Sequence, residues 1–93
     1  LEHIKKKDEK KFILNLKNSL KPNGSLIIGM PSLQSQKYAS KLAKKEHVNC
    51  KTKAELRKFL KKFFKNVYMF SMNDEVLHTG FDDLSHYIIG LSN

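Results

Sequence analysis

The sequence predicts an α/β protein of one domain, in which parallel strands are followed by an antiparallel last strand. Segments with helical periodicity alternate with short apolar segments along the 93 residues, a pattern typical of strands joined through helices. One apolar segment, Leu26-Ile27-Ile28, shows no alternation, as in a parallel strand covered on both faces. A polar stretch without helical periodicity separates the last two apolar segments, so we expect these two strands to be antiparallel.

The first helix is predicted over residues 8–20. Asp8 is a residue type that caps helix N-termini. Four apolar residues fall on one helical face: Phe12, Ile13, Leu16 and Leu20. Pro22 and Gly24 then end the helix and turn the chain. A strand follows over residues 25–32, and Pro31 ends its hydrogen-bonding ladder because proline has no N–H.

The second clear helix begins with a capping box at Thr52 and Glu55, since each side chain can bond the backbone N–H of the other residue. Its apolar positions follow the spacing i, i+3, i+4 and i+7: Leu56, Phe59, Leu60 and Phe63. Between the first strand and this helix, residues 33–51 predict one short helix and then an extended segment.

The remaining strands are predicted over residues 67–72 and 86–91, where β-branched and aromatic residues are frequent. Residues 73–85 read as a polar connection between them. Because the first two strands are joined through a helix, we expect them to lie parallel with a right-handed crossover.

Net charge, the length of apolar runs and cysteine content limit the classes of protein to which this chain can belong. The net charge is +9, and all eighteen Lys and Arg residues lie within residues 1–65. The apolar runs are far shorter than the roughly 20 residues that a membrane span needs. A single cysteine, Cys50, has no partner for an internal disulfide, which favours a reducing, cytoplasmic setting.

Two segments resemble a known family. Leu1-Glu2-His3 precedes the first helix, and the turn Lys21-Pro22-Asn23-Gly24 precedes the first strand. This order resembles the C-terminal half of a class I S-adenosylmethionine-dependent methyltransferase of the type 11/12 kind, where that turn usually has two glycines. Asn also tolerates the left-handed conformation of such a turn.

The resemblance implies the C-terminal part of a Rossmann-like sheet, in which the last strand lies antiparallel between the two strands before it. Residues 1–93 would then be a partial methyltransferase domain. The half that carries the glycine-rich loop and the ribose-binding acid would precede Leu1, and we expect this chain alone to be inactive.

Candidate site residues follow from the rule that ligands bind beyond the carboxyl ends of parallel strands. Three segments meet this rule, namely residues 1–4, 30–32 and 73–80. The resemblance implies contact with S-adenosylmethionine at Leu1, Glu2 and His3. The methyl acceptor is expected at a second set of residues: Met30, Ser32, His47, Asn73 and Asp74.

The implied reaction is transfer of a methyl group to an unidentified acceptor. His3 or His78 could act as a general base, because histidine titrates near neutral pH; transfer without a base is the alternative. No metal site is predicted, since His47, Cys50 and the other histidines match no zinc-binding spacing. The competing function is a small basic α/β module that binds nucleic acid or an acidic partner through its lysines.

Overall fold

The computed structural model describes residues 1–80 and 82–93. Its three α-helices are α1 (Lys6–Ser19), α2 (Lys41–Glu46) and α3 (Lys53–Lys61), and its four strands are β1 (Leu26–Pro31), β2 (Val67–Asn73), β3 (Val76–His78) and β4 (Tyr87–Ser92). Two short 3₁₀ helices, Gln34–Tyr38 and Asp82–Leu84, lie in the connections.

The four strands form one sheet in the order β1-β4-β2-β3, and every hydrogen-bonded pair in it is antiparallel. The predicted Rossmann-like sheet with parallel strands is therefore wrong. The strands are not parallel neighbours because β4 lies between β1 and β2. These two strands therefore form hydrogen bonds with β4 and not with each other. These two strands point in the same direction, because each pairs antiparallel with β4. An isolated parallel bridge joins Ser32 to Lys51 outside the strands.

The hydrophobic core lies on one face of this sheet, beneath α3 and α1. Leu60 and Leu56 of α3 are fully buried, and Ile13 of α1 is fully buried beside them. Helix α3 approaches β4 closely at Gly90, where an added Cβ would stand 2.5 Å from Cδ1 of Leu60. The sheet contributes four buried apolar side chains to this core: Ile28, Met30, Val67 and Ile88.

The opposite face of the sheet remains open. Ile27, Leu91 and Tyr68 form one cross-strand row on it, and 71% of Ile27 is exposed. The expectation that the first strand is covered on both faces is thus wrong for the described chain. Consecutive apolar residues in a strand cannot by themselves show whether a second layer is present.

Several local predictions are confirmed, and others need revision. The capping box at Thr52 and Glu55 is present. Helix α1 begins after Lys5 rather than at Asp8, which lies in the first turn, where an acid interacts favourably with the helix dipole. The predicted polar connection contains β3, whose three residues are too few to show periodicity. No helix among the described residues has the length and apolar character needed to cross a membrane.

We expect Leu60→Ala to lower the free energy of unfolding by about 2–5 kcal/mol, because it leaves a cavity at a fully buried position. The matched control is Leu42→Ala, since Leu42 is 66% exposed and its loss should cost less than about 0.5 kcal/mol. Urea unfolding followed by circular dichroism measures both. Equal losses in the two variants would contradict the assigned core.

Candidate functional site

A cleft lies at the end of the sheet where β1 and β2 finish and β4 starts. Its volume is about 430 Å³. We call it the strand-end cleft, and it is lined by Glu2, Gly29, Met30, Pro31, His47, Met72, Tyr87 and Ile89. Two predicted site residues, Glu2 and His47, therefore meet here although they lie far apart in the sequence, whereas the side chain of the predicted Met30 is 2% exposed and belongs to the core.

Backbone hydrogen bonds hold the first residues against the segment that carries His47. The N–H of Asn49 donates to the carbonyl oxygen of Glu2 over 3.0 Å. The N–H of Ile4 donates to the carbonyl oxygen of Leu1 over 2.9 Å. The Leu1 side chain packs against the core. Glu2 is thereby fixed at the edge of the strand-end cleft.

A buried polar cluster of Glu9, Asn49 and Lys51 holds the segment after His47 in place. The Glu9 carboxylate accepts a hydrogen bond from Asn49 Nδ2 over 2.6 Å and pairs with Lys51 Nζ at 3.0 Å. Asn49 is 1% exposed and Lys51 is 6% exposed. Lys51 Nζ also lies 5.0 Å from the centre of the Phe59 ring. Removal of one partner would leave a buried charge unpaired, so this cluster locks residues 49–51 onto α1.

His3 and His47 come together beside Glu2. Their ring centroids are 4.9 Å apart in an edge-to-face arrangement. Nδ1 of His3 lies 3.1 Å from the carbonyl oxygen of Glu46, and Nδ1 of His47 lies 3.1 Å from Oε1 of Gln36. A carbonyl oxygen only accepts hydrogen bonds, so both Nδ1 atoms carry hydrogen. In a neutral ring, Nε2 is then the basic nitrogen.

Glu2 provides negative charge at the strand-end cleft. Burial acts to raise the pKa of its carboxyl group, whereas a hydrogen bond from its own backbone N–H and nearby positive charge, including that of His3, lower it. The pKa therefore lies below its ordinary value of 4.5. Glu2 Oε1 is 3.6 Å from His3 Nε2. A carboxylate of this kind attracts a cationic ligand group at neutral pH.

Cys50 lies close to these residues but is poorly suited to be a nucleophile. Burial raises the pKa of its thiol, and the nearby Glu2 carboxylate raises it further. The thiol contacts the carbonyl oxygen of His47 at 4.0 Å. Since the thiolate is the reactive form, this environment keeps Cys50 in its less reactive state.

Ser32 follows β1 as predicted, but its side chain faces the protein interior. It is fully buried. Its hydroxyl donates to the carbonyl oxygen of Ser85 and accepts from the N–H of Ser35 over 3.1 Å. In this arrangement Ser32 positions the chain after β1, and its predicted contact with an acceptor remains a prediction.

Asn73, Asp74 and His78 belong to the hairpin of β2 and β3 and do not line the strand-end cleft, although Asn73 directly follows Met72. Asn73 pairs with Val76, and Asp74 adopts a positive φ of 57° in the turn. His78 stands opposite Ser71, and its Nε2 is buried without a hydrogen-bond partner among the described residues. The structure thus brings Glu2 and His47 together at the strand-end cleft, and the hairpin residues Asn73, Asp74 and His78 do not line it.

Sequence reasoning missed Gln36, Asn49 and Tyr87. Gln36 and Asn49 act through hydrogen bonds to His47 and Glu9, and no local pattern marks such partners. Tyr87 could have been found, because it begins the strand that lies between the two predicted strand ends.

No protein-family model matches the chain, and no curated protein or solved structure matches it either.

We expect the stability difference between wild type and Glu2→Gln to be largest above pH 4.5 and to shrink as the pH falls through the lowered pKa of Glu2. The unfolded chain binds more protons at Glu2 than the folded chain does in this range, so acid favours unfolding of the wild type. Urea unfolding between about pH 7 and about pH 3 measures the difference. Glu75→Gln, which changes an exposed residue, is the matched control. A loss of stability in Glu2→Gln that stays constant with pH would contradict the lowered pKa of Glu2.

Proposed function

We propose that this chain forms the acceptor side of an S-adenosylmethionine-dependent methyltransferase, and that the protein containing it transfers a methyl group to an unidentified nucleophile. The observation that carries the proposal is the strand-end cleft, in which Glu2 and His47 converge from two separate segments beside the ends of β1 and β2. The position of β4 between two strands of common direction is a second supporting feature. The proposal does not require parallel pairing within the sheet.

The residues at the cleft suit the charge of the cofactor. S-adenosylmethionine would supply an electrophilic methyl group on a cationic sulfonium, and its methionine end carries an ammonium group. The Glu2 carboxylate would hold these cationic groups, with Leu1 and His3 beside it. The Tyr87 ring lies in the same cleft and offers a π face to a cation.

The remaining residues would orient the acceptor and exclude water. Pro31, Met72 and Ile89 give the cleft an apolar wall, which favours exclusion of water from the reacting groups. His3 would take the proton of the acceptor at Nε2, because its Nδ1 donates to the carbonyl oxygen of Glu46. His78 is the less favoured base, since it lies on the hairpin. We place the reaction in the cytoplasm, because residues 1–93 hold a single cysteine, Cys50, and low cysteine content is typical of reducing compartments.

We expect Glu2→Gln to weaken binding of S-adenosylhomocysteine and S-adenosylmethionine about tenfold, which corresponds to the loss of roughly 1.4 kcal/mol. The measurement is isothermal titration calorimetry on the product of the whole reading frame that contains residues 1–93. Glu75→Gln makes the same chemical change on the exposed hairpin turn and should leave the affinity within about twofold. Absence of cofactor binding, or equal losses in the two variants, would count against the proposal.

A second candidate function, binding of nucleic acid, has one specific observation in its favour. Lys6 and Lys10 of α1 and Lys62 after α3 line one groove of about 370 Å³ together with Phe59 and Phe63. Three lysines from α1 and from the end of α3 thus line one groove, together with the Glu9 carboxylate. Phosphate groups bind such surfaces through salt-dependent contacts.

If this groove binds nucleic acid, we expect the double variant Lys10→Gln/Lys62→Gln to reduce the slope of log affinity against log salt by about 1.8 units. Fluorescence anisotropy with a labelled DNA duplex measures this slope over a series of salt concentrations. Lys41→Gln/Lys44→Gln on α2 removes the same charge elsewhere. Equal changes in both double variants would indicate charge attraction without a defined groove.

A further inference from the structure

We infer that Glu2, His3 and His47 form a binding site for a divalent first-row transition-metal ion at the edge of the strand-end cleft. The inference does not depend on methyl transfer. Its basis is a cluster in which one ligand atom from each residue lies within 4.8 Å of the others. The sequence predicted no metal, because its histidine and cysteine spacings match no zinc signature.

The geometry of the cluster is close to that of a metal site. Around an ion with bonds of about 2.0–2.2 Å, ligand atoms in a tetrahedral arrangement are roughly 3.3–3.6 Å apart. Glu2 Oε1 and His3 Nε2 already lie 3.6 Å apart. The largest separations need to contract by about an ångström to reach this spacing, and rotation of the exposed His3 side chain can supply that change.

Hydrogen bonds orient both imidazole rings as metal ligands require. Metal-binding histidines nearly always donate their second N–H to a carbonyl or carboxylate oxygen, which fixes the tautomer and the ring orientation. Here the Nδ1 of His3 donates to the carbonyl oxygen of Glu46, and the Nδ1 of His47 donates to Oε1 of Gln36, each over 3.1 Å. The Nε2 lone pair of each neutral ring is left available for an ion.

The donor set also selects the kind of ion. Two imidazoles and one carboxylate suit ions from Mn²⁺ to Zn²⁺, whereas Mg²⁺ and Ca²⁺ prefer oxygen ligands alone. Three protein ligands leave at least one position for water or for a ligand in the cleft. A bound ion would occupy Nε2 of His3 and the Glu2 carboxylate. The metal site therefore excludes both a general-base role for His3 and contact of Glu2 with the cationic groups of the cofactor.

The test is titration of the metal-free, tag-free chain with Co²⁺ and Zn²⁺, followed by visible absorption for Co²⁺ and by calorimetry for both ions. We expect one ion per chain. His47→Gln and His3→Gln should each weaken binding at least tenfold, whereas His86→Gln, which changes a histidine outside the cluster, should leave the affinity within about twofold.

A second pair of variants tests the orientation of His47. Gln36→Ala removes the acceptor for His47 Nδ1 and should weaken binding about 10–100-fold, while Gln34→Ala serves as the control. Long-range ¹H–¹⁵N spectra should show Nε2 of both His3 and His47 shifting when Zn²⁺ is added. Circular dichroism verifies that each variant is folded.

Lack of saturable binding up to millimolar metal would overturn the inference. So would equal weakening by His86→Gln and His47→Gln, because it would indicate adventitious binding to surface histidines. If cofactor binding were normal in either case, the proposed methyl transfer would stand, so the two proposals fail separately.

Discussion

The rest of the structure depends on β4, which lies between β1 and β2 and satisfies the backbone groups of both. Its pairing spans the full length of β1, from Leu26↔Ser92 to Pro31↔Tyr87, and most of β2. Because β4 starts where the other two strands end, Tyr87 lies beside Pro31 and Met72. The same insertion therefore organises the sheet and creates the floor of the strand-end cleft.

The helices cover one face of the sheet and complete the hydrophobic core. Helix α3 reaches β4 at Gly90 through Leu60, so the core excludes water on that face. Residues 49–51 precede α3. Asn49 and Lys51 contact α1 through the Glu9 carboxylate. The positions of Glu2 and His47 thus depend on buried contacts several residues away.

The candidate site was partly predictable. The strand-end rule concerns strand direction, and β1 and β2 do share a direction, so Glu2 lies at the expected edge of the sheet while its role there stays a prediction. Asn73 and Asp74 lie in the hairpin of β2 and β3 and do not line the strand-end cleft, and their contact with an acceptor also stays a prediction. The pairing of His3 with His47 lay beyond sequence reasoning, since the two residues are joined by a tertiary hydrogen-bond network and by no spacing.

The sequence by itself determined the local elements. The capping box at Thr52, the apolar face of α3 and the turn at Asn23 depend on neighbouring residues, and short-range chemistry decides them. Tertiary structure alone decided which strands pair, which face of the sheet stays open, and that Glu2, His3 and His47 meet. Those outcomes depend on competition between distant segments for the same hydrogen bonds and the same buried surface, and no single segment contains that information.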